Sequence, residues 1–261
     1  MYQCPVCGQQ FSRKDNMLRH VQQKHAGKLY PSELATPTET FHFRHPFTME
    51  ITAPTMGGKT TWLHRLLERM REFIFPVPER ILYCYSQKQP AYGDIKKIVA
   101  GIEFVRGIPE ELEEDDYLDP EVNNLIILDD VMSEAKNDNR IANLFTKGSH
   151  HRNLSVVYLT QNLFPQGKAS RDIALNCQYL LLFNNPVDRQ QIHLLARRIR
   201  PSSPEKFMKV YEAAVYRPYG NLLVDLKSNT PEKKRLQPNI LEQKEDDKEE
   251  RERSEEHTSE L

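Results

Sequence analysis

Net charge is nearly absent from this sequence. Lys and Arg number 36 and Asp and Glu 37, a formal net charge of −1 over 261 residues. Global charge therefore makes no case for a nucleic-acid or membrane partner. Cysteine is scarce too. Of the four present, Cys84 and Cys177 lie in or beside apolar runs, where they read as small buried hydrophobes. That usage fits a reducing compartment rather than a disulfide framework. The N-terminus lacks the apolar stretch of a secretory signal. No apolar run approaches the roughly 20 residues that span a bilayer, and no internal repeat is found. The expectation is a soluble intracellular protein without a membrane partner, long enough for one medium domain and a small one.

What charge there is sits in blocks. Residues 1–28 hold five Lys or Arg against one Asp, residues 110–121 hold eight acids and no base, and residues 189–200 are again basic. The acidic block reads as a solvated loop. Hydrophobic patterning divides the chain further. Residues 28–40 (KLYPSELATPTET) carry prolines and threonines with no hydrophobic period and read as a linker. From Phe41, short apolar runs alternate with helical stretches. The runs are 47–53, 80–86, 125–131, 154–161 and 179–185, with a last one, 221–226, expected at a sheet edge. Helices are expected over 59–74, 139–147, 188–199 and 204–214. Near-continuous apolar strands signal a sheet covered on both faces, hence a mostly parallel α/β domain over 41–226. Residues 227–252 are dominated by charged and amide side chains and are expected to be a solvated, disordered tail. The last nine residues, RSEEHTSEL (253–261), match an in-frame reading of a sequencing adapter and are set aside from fold reasoning.

Two motifs carry chemistry. The first is C-x2-C-x12-H-x4-H, formed by Cys4, Cys7, His20 and His25. Two thiolates from a tight turn and two imidazoles one helical turn apart suit tetrahedral Zn²⁺. Phe11 and Met17 supply the apolar residues that such a ββα unit needs. This segment, 1–27, resembles the C2H2 zinc-finger family. In the docking mode of that family, Arg13, Asn16 and Arg19 would face DNA bases from helix positions −1, 3 and 6. A solvated face or a protein-binding finger is the alternative.

The second is A-P-T-M-G-G-K-T at 53–60, against the phosphate-loop pattern G-x-x-x-x-G-K-[ST]. Ala53 replaces the first glycine. Gly57, Gly58, Lys59 and Thr60 are in place between a strand and a helix, with Thr61 following. Backbone N–H groups there would cradle the phosphates of ATP, Lys59 would reach the β- and γ-phosphates, and Thr60 would ligate Mg²⁺. The run Leu125–Leu128 carries Asp129 and Asp130 out at a strand's end, on a strand expected beside that of the phosphate loop. Asp129 would hold Mg²⁺ and Asp130 would position or activate water. Gln161 ends the next strand and is the candidate for contact with the γ-phosphate or that water.

Together, APTMGGKTTWL (53–63), LIILDDVM (125–132), HHRNLSVVYLTQNLFPQG (150–167) and NNPVDRQQIHLLARRIRP (184–201) resemble the additional-strand P-loop ATPases. Within these they are similar to the FtsK/HerA-type genome-packaging ATPases of large DNA viruses and Maverick/Polinton-like elements. The resemblance implies Mg²⁺-dependent ATP hydrolysis coupled to movement of double-stranded DNA through a homo-oligomeric ring. It also implies a capsid or portal-type partner and an arginine donated in trans. Arg171, after Gln161, is the first candidate for that arginine and Arg140 another, whereas Arg152 is expected at the opposite edge. Ala53 and the finger depart from the family's pattern. The finger makes nuclear localisation the expectation. A contrasting reading is a finger-containing regulator whose loop binds nucleotide without turnover. A small-molecule kinase lacks an evident lid and leaves Gln161 unexplained.

Metal coordination would supply most of the finger's folding free energy, about 10 kcal/mol. One Zn²⁺ per chain is expected by elemental analysis. It should be lost in Cys4→Ser, while the unfolding transition of the α/β domain stays unchanged because the linker separates the two. Stoichiometric zinc in the variant would contradict the ligand assignment.

Overall fold

The computed structural model describes residues 2–3, 10–12, 16, 41–114, 117–131, 139–148, 153–163, 168–187 and 189–242. Tyr2–Gln3 pairs antiparallel with Gln10–Phe11. Cys4, Cys7, Arg13, Arg19, His20 and His25 lie outside the described residues, and Asn16 is exposed.

From residue 41 the chain builds a mostly parallel sheet. Its strands, in chain order, are β1 (Thr48–Thr52), β2 (Arg80–Tyr85), β3 (Ile102–Arg106), β4 (Asn124–Asp129), β5 (Leu154–Thr160), β6 (Tyr179–Phe183), β7 (Asn221–Asp225) and β8 (Leu236–Pro238). Among the described residues the spatial order is β8-β7-β6-β1-β5-β4-β2-β3. Every pairing from β6 to β3 is parallel, and β7 and β8 add antiparallel at one edge. The helices are α1 (Lys59–Glu68), α2 (Met70–Phe73), α3 (Tyr92–Ile98), α4 (Asn139–Asn143), α5 (Lys168–Asn176), α6 (Arg189–Ile199) and α7 (Pro204–Ala214).

The apolar runs are strands because both of their faces are covered. In β4, Leu125 and Ile127 pack with Trp62, Leu63 and Leu66 of α1. The alternate Ile126 and Leu128 pack with Ile141, Leu144 and Phe145 on the other side. A third cluster unites α6 and α7 with β6, β7 and β8 through Ile192, Phe207, Tyr211, Leu182 and Leu222. Each such side chain contributes about 1.5–3 kcal/mol on removal from water. Cys84 and Cys177 are buried free thiols, and burial pushes Cys84 up to about 12. The acidic block forms a short 3-10 turn, Glu110–Glu113, anchored by buried Leu112 and Leu118 with Glu110, Glu111, Glu114, Asp119 and Glu121 exposed.

The structure corrects three expectations. The acid-pair strand β4 does not adjoin β1: β5 lies between them. That insertion is what an additional-strand sheet means. The run 221–226 is not an edge strand, because β8 pairs outside it. The segment from 227 is not all solvated tail. Leu236, Ile240 and Leu241 are buried, Arg69 donates to the Leu241 carbonyl at 2.9 Å, and Glu242 pairs with Arg65 at 3.3 Å and Arg217 at 3.4 Å. Three apolar side chains amid charge were too few to register as a pattern. The elements β3, α3 and α5 were also not anticipated; residues 243–252 lie outside the described residues.

Glu50, on β1, is enclosed with its Oε1 lacking a hydrogen-bond partner. Burial pushes its carboxyl up to about 8 from an ordinary 4.5. Between those values the unfolded chain gives up a proton that the folded chain keeps, so stability falls as pH rises through that window. The slope approaches roughly 1.4 kcal/mol per pH unit. Glu50→Gln should flatten the decline, which urea midpoints measured from pH 5 to 8 would reveal. An unchanged pH dependence would mean that Glu50 is hydrated or paired in solution.

Candidate functional site

The parallel strands all end on one edge, and the motif residues gather there. β1 runs out at Thr52, and the Ala53 N–H extends the ladder to the Thr160 carbonyl at 3.3 Å. The chain then turns through 53–58 into α1. The Gly57 N–H bonds the Pro54 carbonyl at 2.9 Å, closing the turn. A Cβ at Gly57 would stand 2.8 Å from both the Ala53 Cβ and the Pro54 oxygen. The Ala53 methyl therefore fits at the first-glycine position because residue 57 has no side chain. Gly58 sits at φ 96, a left-handed conformation that favours glycine, and caps α1 without a side-chain hydrogen bond.

Lys59 folds back over this turn. Its Nζ donates to the Ala53 carbonyl at 2.6 Å and to the Pro54 carbonyl at 3.3 Å. Burial lowers the pKa of this ammonium, and the charges of Asp129 and Asp130 oppose that shift. Strand alternation explains why Asp129 can act on it. Leu125, Ile127 and Asp129 share the face covered by α1, so a carboxylate at the end of β4 points toward the helix that carries Lys59. Asp129 is 6% exposed. Burial raises its pKa, while hydrogen bonds from Tyr83 and Tyr92 and the charge of Lys59 pull it down. Tyr83 and Tyr92 both donate to Oδ2, at 2.8 and 3.3 Å, which leaves Oδ1 for a further partner.

Asp130 is turned the other way. It is exposed and takes φ 54, a left-handed conformation that Asp adopts more readily than most residues. Gln161, also exposed, accepts a hydrogen bond from the Thr55 hydroxyl at 3.4 Å, tying the end of β5 to the turn. Gln191 of α6 accepts from the Leu163 N–H at 3.1 Å, so the NPVDRQQ segment steadies the chain after Gln161. Thr60 is partly exposed and Thr61 exposed in the first turn of α1. Arg171 falls in α5, which follows β5. Arg140 donates to the Pro109 carbonyl at 3.2 Å. The structure thus brings Lys59, Asp129 and Asp130 into one electrostatic group, with Gln161 bonded to the turn. Reasoning from sequence missed Tyr83 and Tyr92. The YCY of β2 read as strand filler, and nothing local showed that one tyrosine would meet an acid 46 positions away.

Comparison with known proteins adds the following. Residues 2–25 match the family "Zinc finger, C2H2 type". The N-terminal segment is a C2H2-type finger. No curated protein matches the chain. Among solved structures, the genome packaging NTPase B204 from Sulfolobus turreted icosahedral virus 2, in complex with ATP-gammaS, is similar to it. The TM-score is 0.45 at 12% identity, over 74% of this chain and 96% of that one. No helix among the described residues is long and apolar enough to cross a membrane.

The two tyrosine hydroxyls favour the charged form of a buried carboxylate, against the effect of burial. Their removal in the double variant Tyr83→Phe, Tyr92→Phe should cost about 2–4 kcal/mol at neutral pH. The loss should shrink as pH falls and Asp129 takes up a proton, because a neutral carboxyl has less need of donors. Urea denaturation across pH measures this, and a pH-independent loss would place the hydroxyls' role elsewhere.

Proposed function

We propose that this chain is a zinc-containing, Mg²⁺-dependent ATPase of the DNA-translocating, genome-packaging type. The observation that carries the reading is the charge arrangement at the sheet edge. A partly buried ammonium rests on the carbonyls of its own glycine turn and is opposed by two carboxylates delivered by another strand of the same sheet. An ammonium held at this edge can receive an anion through charge-assisted hydrogen bonds. Gly57, where added side-chain bulk would collide with Ala53 and Pro54, lets the turn close tightly enough to present those carbonyls to the ammonium.

Mg²⁺-bound ATP supplies a γ-phosphorus open to in-line attack and an ADP leaving group. The residues divide the remaining work. Gly57 keeps the turn closed through its own N–H, the N–H groups of Gly58, Lys59, Thr60 and Thr61 would bind the phosphates at the start of α1, and Lys59 would exchange the Ala53 carbonyl for β- and γ-oxygens. Thr60 and Asp129 would hold the Mg²⁺, which would offset charge on the phosphate oxygens. Asp130 orients the attacking water and accepts its proton as the new P–O bond forms and the bond to ADP breaks. Gln161 reports the γ-phosphate to the turn through Thr55. Arg171 of a neighbouring subunit offsets charge in the transition state, and the ring so formed moves double-stranded DNA. The zinc finger anchors DNA or a capsid-type partner from its N-terminal position, through Arg13, Asn16 and Arg19 where DNA is the partner.

Lys59→Ala should abolish tight ATP binding by calorimetry. Asp130→Asn should still bind ATP but turn it over at least about 10²-fold more slowly. Turnover should rise more than linearly with protein concentration as rings form. Mixing Arg171→Ala with Lys59→Ala subunits should restore part of it, since one supplies the site and the other the arginine. A fully active monomer indifferent to DNA would overturn the translocase reading.

A further inference from the structure

Tyr219 stands out among the aromatic side chains outside the motifs. It is 70% exposed, and its backbone takes φ 59, which is rare for a bulky residue. It lies in the turn joining α7 to β7, and that turn is held tightly. A Cβ on Gly220 would stand 2.3 Å from the Ala214 carbonyl. The Gly220 N–H bonds the Arg217 carbonyl at 3.0 Å, and the Asn221 side chain donates to the Tyr219 carbonyl at 3.3 Å. Asn239 bonds both the Ala214 carbonyl and the Asn221 N–H, at 3.2 and 3.0 Å. The turn is packed, yet the ring it carries is presented to solvent.

One side of that ring is placed against the glycine turn. A Cβ built on Gly58 would come within 2.9 Å of Tyr219 Cδ1 and 3.5 Å of Phe183 Cε1. The ring therefore covers the residue just before Lys59. Its position across the sheet is equally informative. β6 and β7 flank β1 on one side, while β5 and β4, which carry Gln161, Asp129 and Asp130, flank it on the other. A triphosphate seated on 53–60 with its γ end toward the acids has its nucleoside end directed toward Tyr219.

We propose that Tyr219 is the stacking platform for the base of the bound nucleotide. This rests on the reading of 53–60 as a phosphate site and extends it by giving the nucleotide a direction along the sheet edge. A planar aromatic ring fixed at one end of a phosphate turn offers its free surface to a nucleobase. Stacking uses the π-face that every base possesses, so the platform selects for a nucleobase without choosing strongly among bases.

Equilibrium binding of ATP, GTP and inorganic tripolyphosphate to the full chain with Mg²⁺ tests the assignment. Tyr219→Ala should weaken ATP and GTP about tenfold or more and leave tripolyphosphate unchanged, which also shows that the variant is folded. Tyr219→Phe should bind like wild type. In Tyr219→Trp, ATP but not tripolyphosphate should quench the emission gained over wild type, which contains only Trp62. Undiminished ATP binding in Tyr219→Ala would overturn the stacking role alone. Equal weakening of ATP and tripolyphosphate would also overturn it, making the ring a support for the turn. Failure of wild type to bind either ligand would overturn the phosphate-site reading, and this inference with it.

Discussion

The folded-back ammonium of Lys59 is the interaction on which the rest of the site depends. It lies partly buried, where a charge is costly unless it is compensated. Compensation comes from the Ala53 and Pro54 carbonyls and from the acids at the end of β4. Each source imposes a requirement. The carbonyls are available only if 53–58 turns sharply, which needs Gly57 without a side chain and Gly58 in a left-handed conformation. The acids act from their positions only if β4 ends at the same level as β1. Asp129 in turn draws on Tyr83 and Tyr92, whose donors offset part of the cost of burying its carboxylate.

The sheet meets these requirements through its topology. Parallel strands end together, so one edge collects the termini of β1, β5, β4 and β2. Placing β5 between β1 and β4 widens the gap between the lysine's turn and the acids and brings Gln161 into the middle of the edge. The antiparallel strands β7 and β8 extend the other side, and the turn before β7 brings Tyr219 over Gly58. One edge thereby acquires two unlike ends, one acidic and one aromatic, with the turn of 53–58 between them.

Much of this was legible in the sequence where the signal is local. Strand runs buried on both faces read correctly, because LIILDD shows no alternation and a strand covered on both sides has none to show. The glycine turn and the acid pair were visible because their chemistry is contiguous. Strand order was not, since nothing within β4 records that β5 lies between it and β1. Tyr83, Tyr92 and Tyr219 were missed for a related reason: each owes its role to a partner distant in the chain. The fold's hold on residues 227–242 escaped notice because it depends on a few apolar side chains and on Arg69 reaching the Leu241 carbonyl, within a segment whose composition otherwise reads as solvated.

The claim at the centre of this account is that the charged edge performs chemistry on a nucleotide. Phosphate release from ATP by the full chain, followed with and without Mg²⁺ and with and without double-stranded DNA, tests it most directly. The account predicts release that requires Mg²⁺ and accelerates when DNA is added. Tight ATP binding with no release under any of these conditions would contradict it and leave a nucleotide-binding protein without turnover.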